Sequence, residues 1–215
     1  VDSFFRISVQ WAVIHMTNQK LDFLSTRRTI RQYRPDPVPE ETVRRILEAA
    51  HAAPSAHNSQ PWRFVVLRDP QGRRLLAERM AEAYTRDAKA DGRPDEAVRA
   101  RNQRSIKRIC EAPLAVLAFA DEGCLPPDAG RREAGERLLL VQSVAAAVQN
   151  LLLAVHAEGL GACWICAPAF CPQTVRETLD LPERWTAQAL VLIGYPAETP
   201  EDHVKRAFDE VVVWR

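Results

Sequence analysis

Two periods alternate along this chain of 215 residues, one helical and one extended. Pro39 to Ala53 sets Val43, Ile46, Leu47 and Ala50 on one face behind Pro39 and the Glu40-Glu41 pair, the composition of a helix start. Gln71 to Tyr84 repeats that pattern through Leu75, Leu76 and Met80, and Leu21 to Arg34 reads as a short helix stopped by Pro35-Asp36-Pro37-Val38-Pro39. The polar stretch Thr85 to Ile109 predicts a helical lid broken at Asp91-Gly92-Arg93-Pro94, and Pro172 to Leu179 a short helix. Short apolar runs at Trp62 to Leu67, Leu114 to Ala120, Ala162 to Cys166 and Ala189 to Pro196 read as strands, with Val211 to Trp214 a candidate fifth. Glu133 to Glu158 is apolar on nearly every side. Charges bracket it and Gln142, Ser143, Gln149 and Asn150 interrupt it, which predicts a core or interface helix rather than a membrane span. Gly159 suits a left-handed cap. Strands alternating with longer helices predict one layered α+β or α/β domain, residues 16–215, behind an extension of residues 1–15.

Charge and cysteine usage narrow the classes. Lys plus Arg is 29 against 28 for Asp plus Glu, so neither a nucleic-acid binder with a strongly basic face nor an acidic tail protein is expected. Five cysteines at irregular spacing argue against a disulfide framework and for a reducing cytoplasm. Cys163-Trp164-Ile165-Cys166 is formally C-x-x-C, but in a strand its two thiols point to opposite faces, so both are read as small core residues. A zinc site needs a second ligand pair, and none is present, so no metal is expected. The extension lacks a basic start, an uninterrupted apolar run and a cleavage site; a signal peptide is not expected, and Met16 is an alternative start.

Chemistry concentrates in three places. Pro54-Ser55-Ala56-His57-Asn58-Ser59-Gln60-Pro61-Trp62 joins a helix pattern to a strand pattern, with two prolines restricting it and hydroxyls and amides between them. An amide carries a donor and an acceptor side by side, so Asn58 or Gln60 can match the C=O and N–H edge of a flavin or nucleobase. The same residues also suit an ordinary helix-to-strand turn. Arg27, Arg28 and Arg31, with Thr29 among them, fall at helical or near-helical spacing and can converge on one phosphate, or form a solvated face. Arg101, Arg104 and Arg108 on the polar lid offer the same choice toward a substrate phosphate or carboxylate. Gly159-Leu160-Gly161 follows a helix and precedes a strand, the reverse of a dinucleotide fingerprint.

Several separated motifs make Leu21 to Trp214 resemble the FMN-dependent nitroreductase family. They are Arg27-Arg28-Thr29-Ile30-Arg31, the Pro54 to Trp62 loop, the long apolar helix running into Gly159-Leu160-Gly161-Ala162-Cys163-Trp164-Ile165, Gly194-Tyr195-Pro196, and Lys205-Arg206 ahead of Asp209-Glu210-Val211-Val212. Phe170 to Pro182, the polar insert and Val148-Gln149-Asn150-Leu151-Leu152 look like the nitroreductase-like C-terminal domain of the coenzyme F-420 gamma-glutamyl ligase.

That resemblance implies a central, mostly antiparallel sheet in an α/β/α sandwich, and an intertwined homodimer with two FMN sites built from both chains. It places Arg27, Arg28 and Lys205 on the FMN phosphate, with Thr29, Arg31 and Arg206 nearby. Asn58 and Gln60 meet the isoalloxazine edge or ribityl chain, with Pro54, Ser55 and Ala56 beside them. Ile165, Cys166 and Ala167 flank flavin N5, where the Ala167 N–H is the expected donor and many members have Glu-Gly. The implied reaction passes hydride from NADH or NADPH through FMN to a small electron-poor acceptor. The flavin carries that chemistry, so no protein nucleophile or general base is expected, and His57 is read as a loop histidine. A reductase acting on a dehydro precursor of coenzyme F-420 and a non-catalytic flavin or deazaflavin carrier are the alternatives.

Overall fold

The computed structural model describes residues 19–200 and 204–215, and the extension 1–15 lies outside them. Strands β1 (Trp62–Leu67), β2 (Leu114–Asp121), β3 (Gly161–Ile165) and β4 (Trp185–Gly194) form one antiparallel sheet in the order β1-β2-β4-β3. The two central strands carry the most continuous apolar runs because both their faces are covered. Six α-helices accompany the sheet among the described residues: α1 (Gln19–Thr26), α2 (Glu40–His51), α3 (Pro70–Ala90), α4 (Asp95–Glu111), α5 (Glu133–Ala157) and α6 (Pro172–Thr178). On one face Val116, Ala118, Val191 and Ile193 pack against Val43 and Ile46 of α2 and Val144, Val148 and Leu151 of α5. On the other, Leu117, Phe119, Leu190 and Leu192 meet Leu76 and Met80 of α3, Ile109 of α4 and Val175 of α6. The result is the expected α/β/α sandwich of the α+β class.

The long helix α5 runs 25 residues, about 37 Å, and so spans the sheet. By length and composition alone residues 130–157, with a mean hydropathy of 2.0 over the best window, could cross a membrane, which the polar interruptions had been expected to prevent. Its inner face is nonetheless committed to the sheet through Leu140, Val144, Ala147, Val148, Leu151 and Val155. Leu138 and Val141 remain 55% and 41% exposed, an apolar outer strip.

Four expectations are corrected. The first helix ends at Thr26 rather than Arg34, because the segment after it pairs with β3: Thr29 bridges Ala162 in parallel and the Ile30 N–H donates to Ala162 O at 2.9 Å. The third helix continues from Tyr84 to Ala90 before turning at Gly92, whose φ is +69°. The third strand ends at Ile165, so Cys166 lies past it and is exposed, while Cys163 is buried. Val211 to Trp214 forms no strand; Val213 and Trp214 are 79% and 81% exposed and meet no sheet edge of this chain.

Candidate functional site

The loop after α2 is held under backbone strain. His57, Asn58 and Gln60 all take left-handed φ values, +54°, +53° and +46°, in a region that costs an L-residue about 1 kcal/mol or more. Fixed hydrogen bonds impose it. Ser55 Oγ accepts the Gln60 N–H at 3.0 Å, and Ser143 Oγ of α5 accepts the Ala56 N–H at 3.1 Å while donating to Leu139 O at 2.7 Å. Arg63 Nη1 donates to Gln60 O and Trp62 O at 3.1 and 2.8 Å, and its Nη2 lies 2.8 Å from the buried Asp121 carboxylate. Within the loop Gln60 Nε2 donates to Asn58 Oδ1 at 3.1 Å, which leaves the Asn58 Nδ2 donors and the Gln60 Oε1 acceptor for a ligand. Pro54 and His57 are exposed. The loop borders a groove of about 1030 Å³ between α2 and the edge strand β1, lined by Leu47, His51, Gln60, Trp62 and Phe64.

The arginine cluster is organised differently from the expected helix face. The extended segment after α1 lies along the outer edge of β3, where Gly161 lets it approach: a Cβ there would stand 2.6 Å from Ile30 Cβ. Tyr33 fastens the far end, its one hydroxyl proton shared between Ile30 O at 2.6 Å and Leu192 O at 3.1 Å, and burial pushes that phenol well above its usual pKa. Arg27 and Arg28 line one cavity of about 330 Å³ with Ile30, Leu152, His156 and Glu198. Arg28 Nη1 donates to Ser25 O at 2.6 Å. Thr29 presents its backbone to Ala162. Arg31 does not join that cavity; its N–H donates to Glu198 Oε1 at 2.6 Å, and its charge acts on Tyr33 and Cys163. Thr199 and Pro200 line the same cavity as the chain leaves toward Lys205 and Arg206, both exposed.

His156 is a participant that sequence reasoning passed over. It stacks on Phe23 with centroids 5.0 Å apart, and its Nε2 lies 3.1 Å from Thr26 Oγ1. Burial, then the charges of Arg27 and Arg28, lower its pKa. The one sequence signal was a titratable ring three residues before the helix-ending Gly159.

At the exit of β3, Ile165 is half-buried, Cys166 exposed, and Ala167 opens a short 3-10 turn in which the Ala169 N–H closes onto Cys166 O at 3.0 Å. Ala167 also lines a cavity of about 400 Å³ with Tyr84, Arg93, Arg101, Asn102 and Phe170. Arg101 stacks its guanidinium 3.4 Å above the Tyr84 ring centroid. The three lid arginines do not converge: Arg104 is exposed to solvent, and Arg108 sends its charge toward Tyr33 and Cys163.

Within one chain the amide loop and the arginine cavity stay apart. The loop is tied to Ser143 and the cavity to His156, thirteen residues along α5, a separation of about 20 Å. The cavity and the Ile165–Ala167 turn share one edge of the sheet, whereas the loop enters β1 at the opposite edge.

Comparison with known proteins gives a concordant picture. The model of the Nitroreductase family matches residues 24–195. An NADH dehydrogenase of Thermus thermophilus is 36% identical over 207 residues, covering 88% of this chain and 92% of that protein. A 5,6-dimethylbenzimidazole synthase of Rhodospirillum rubrum is 37% identical over 172 residues, covering 80% and 79%. Among solved structures, a Desulfovibrio desulfuricans protein crystallised in complex with FMN superposes with a TM-score of 0.71 at 29% identity, covering 93% of this chain and 98% of that one.

Proposed function

The chain belongs to the nitroreductase family and is an FMN-dependent oxidoreductase; from that premise we infer that it takes hydride from NADH or NADPH and reduces a small electron-poor acceptor in a site completed by a second copy of the chain. The observation that carries this reading is the separation of the two site halves along α5. One flavin needs both a phosphate cradle and a partner for its ring edge, and these meet α5 at its middle and at its C-terminal end. The exposed apolar strip at Leu138 and Val141 suits a surface that a second α5 covers.

The residues present fit FMN. Arg27 and Arg28, joined by Lys205 and Arg206, would hold the phosphate, since guanidinium donors match its oxygens. Asn58 and Gln60, already set against each other, would bond the ring edge. The turn at Cys166-Ala167 would contribute an N–H beside the ring, and Arg31 a positive charge on the same edge of the sheet. When bound, FMN supplies the two-electron carrier, and the protein orients the ring and excludes competing reactions. Arg101, fixed over Tyr84 beside Ala167, is the best placed of the lid arginines to meet an acceptor. Five unpaired thiols fit a reducing cytoplasm.

The absorption spectrum of the purified protein tests the assignment directly. A flavin spectrum bleached anaerobically by NADH or NADPH is expected. A deazaflavin spectrum would move the reading to coenzyme F-420 chemistry, which the Arg101 cavity near Ala167 favours, and a bound flavin that neither nicotinamide reduces would indicate a carrier. The Rhodospirillum relative favours one further reading, release of 5,6-dimethylbenzimidazole, which chromatography of the aerobic reaction mixture checks.

A further inference from the structure

The arginine cavity contains a group whose hydrogen bonding is incomplete in a specific way. Thr26 Oγ1 has one proton and two neighbours at 3.1 Å, Phe23 O and His156 Nε2; donation to the carbonyl, which can only accept, makes the hydroxyl an acceptor toward the ring. In that arrangement the ring proton sits on Nε2. In the neutral imidazole Nδ1 then holds a lone pair and has nothing to offer an anion.

The surroundings keep the ring neutral. Phe23 and Thr26 reach it from α1, and Arg27 and Arg28 from the segment that follows. From residues 196–200 comes Glu198, whose Oε1 already accepts the Arg31 and Gln32 N–H groups at 2.6 and 3.1 Å. Glu158, just past the end of α5, is taken by Arg45 of α2 in a two-pronged pair at 2.8 and 2.7 Å. Two arginines face the imidazole, and neither glutamate nearby is uncommitted.

A phosphate monoester carries about −1.5 to −2 charges near neutral pH, which reverses that balance as soon as it enters the cavity. We propose that His156 is a further ligand of the FMN phosphate, one that takes up a proton on Nδ1 as the phosphate arrives; this rests on the reading above that Arg27 and Arg28 hold that phosphate. The ring is positioned for the role by Phe23 and Thr26 in advance, so little side-chain freedom is lost on binding. FMN then binds more tightly as pH falls from neutral toward the histidine range, and riboflavin, which lacks the phosphate, does not.

The test uses full-length protein stripped of flavin and reconstituted with FMN or riboflavin. Nitrogen-15 NMR of labelled histidine should show His156 Nδ1 unprotonated without flavin, protonated with FMN, and unchanged with riboflavin. His156→Gln should weaken FMN binding about tenfold, the size of one charge-assisted hydrogen bond, without changing riboflavin affinity. It should also flatten the pH dependence of the FMN Kd. An unprotonated Nδ1 in the FMN complex, or equal losses for the two flavins, overturns the proposal. Arg28→Ala separates this from the wider reading: if it erases the preference for FMN while His156→Gln does not, only the role of His156 fails. If neither variant touches the preference, the phosphate assignment fails with it.

Discussion

Gly161 and Ile30 stand so close that a methyl group on the glycine would lie 2.6 Å from the Ile30 Cβ. This contact seats the arginine segment on the edge of β3. Gly161→Ala forces Ile30 and the neighbouring Arg27 and Arg28 outward, and overpacking of this kind costs about 1–3 kcal/mol. A lower urea midpoint together with faster loss of flavin on gel filtration is expected; unchanged flavin retention would mean the segment is not part of the cofactor site.

Ser143 lends its hydroxyl to the strained loop through the Ala56 N–H. Ser143→Ala leaves that half-buried donor without its partner, at about 1 kcal/mol or somewhat more. The loss should be visible twice, as a drop in unfolding free energy and as a shift in the visible spectrum of bound flavin, because the amides of Asn58 and Gln60 depend on the same loop geometry. Ser143→Thr, which keeps a hydroxyl, should restore the spectrum.

Arg28→Ala combined with Lys205→Ala removes two charge-assisted partners assigned to the phosphate. Together they should weaken FMN binding on the order of 100-fold, read by flavin fluorescence after dialysis. Protein that stays equally yellow after dialysis contradicts the assignment.

Glu122 links the end of β2 to α5 and β4. Its carboxylate meets Arg137 at 2.5 Å and accepts the Thr186 hydroxyl at 2.7 Å, and the Arg137 hydrogen bond holds its pKa below the ordinary 4.5. A depressed carboxylate pKa adds stability that is fully present above the unfolded value and is lost as pH falls through the folded one. Unfolding free energy should therefore decline below about pH 4.5, and Glu122→Gln should flatten that acid limb while lowering stability at neutral pH. An identical acid limb in the variant would remove Glu122 from the account.

Much of the layering could be read directly. Trp62 to Leu67 is a strand at the expected bounds, because its apolar run is closed on both sides by proline-containing turns. The long helix likewise follows its period almost to the residue. Misreadings arose where a partner distant in sequence decided the conformation. Arg27 to Arg34 has helix-compatible composition, yet Ala162 O captures the Ile30 N–H and pulls the segment into the sheet. Cys166 closes an apolar run in the sequence, but the strand ends one residue earlier. Ser143 and His156 were hidden for a related reason: on an apolar helix a serine reads as an interruption and a histidine as a helix end, and only the packed loop and arginine segment reveal what they hold. That the amide loop meets the middle of α5 and the arginine cavity its C-terminal end is not a property of local sequence.

Under the proposed two-chain site, the thirteen-residue interval between Ser143 and His156 would also make flavin occupancy a matter of stoichiometry. If each flavin bridges two chains, occupancy depends on protein concentration as well as flavin concentration, and dilution alone should release cofactor. Two defective chains should moreover complement one another. A chain lacking the arginines, mixed with a chain lacking Asn58 and Gln60, would form heterodimers in which one of the two sites is assembled entirely from intact halves, so that about a quarter of the wild-type flavin content returns on random pairing of two inactive parents.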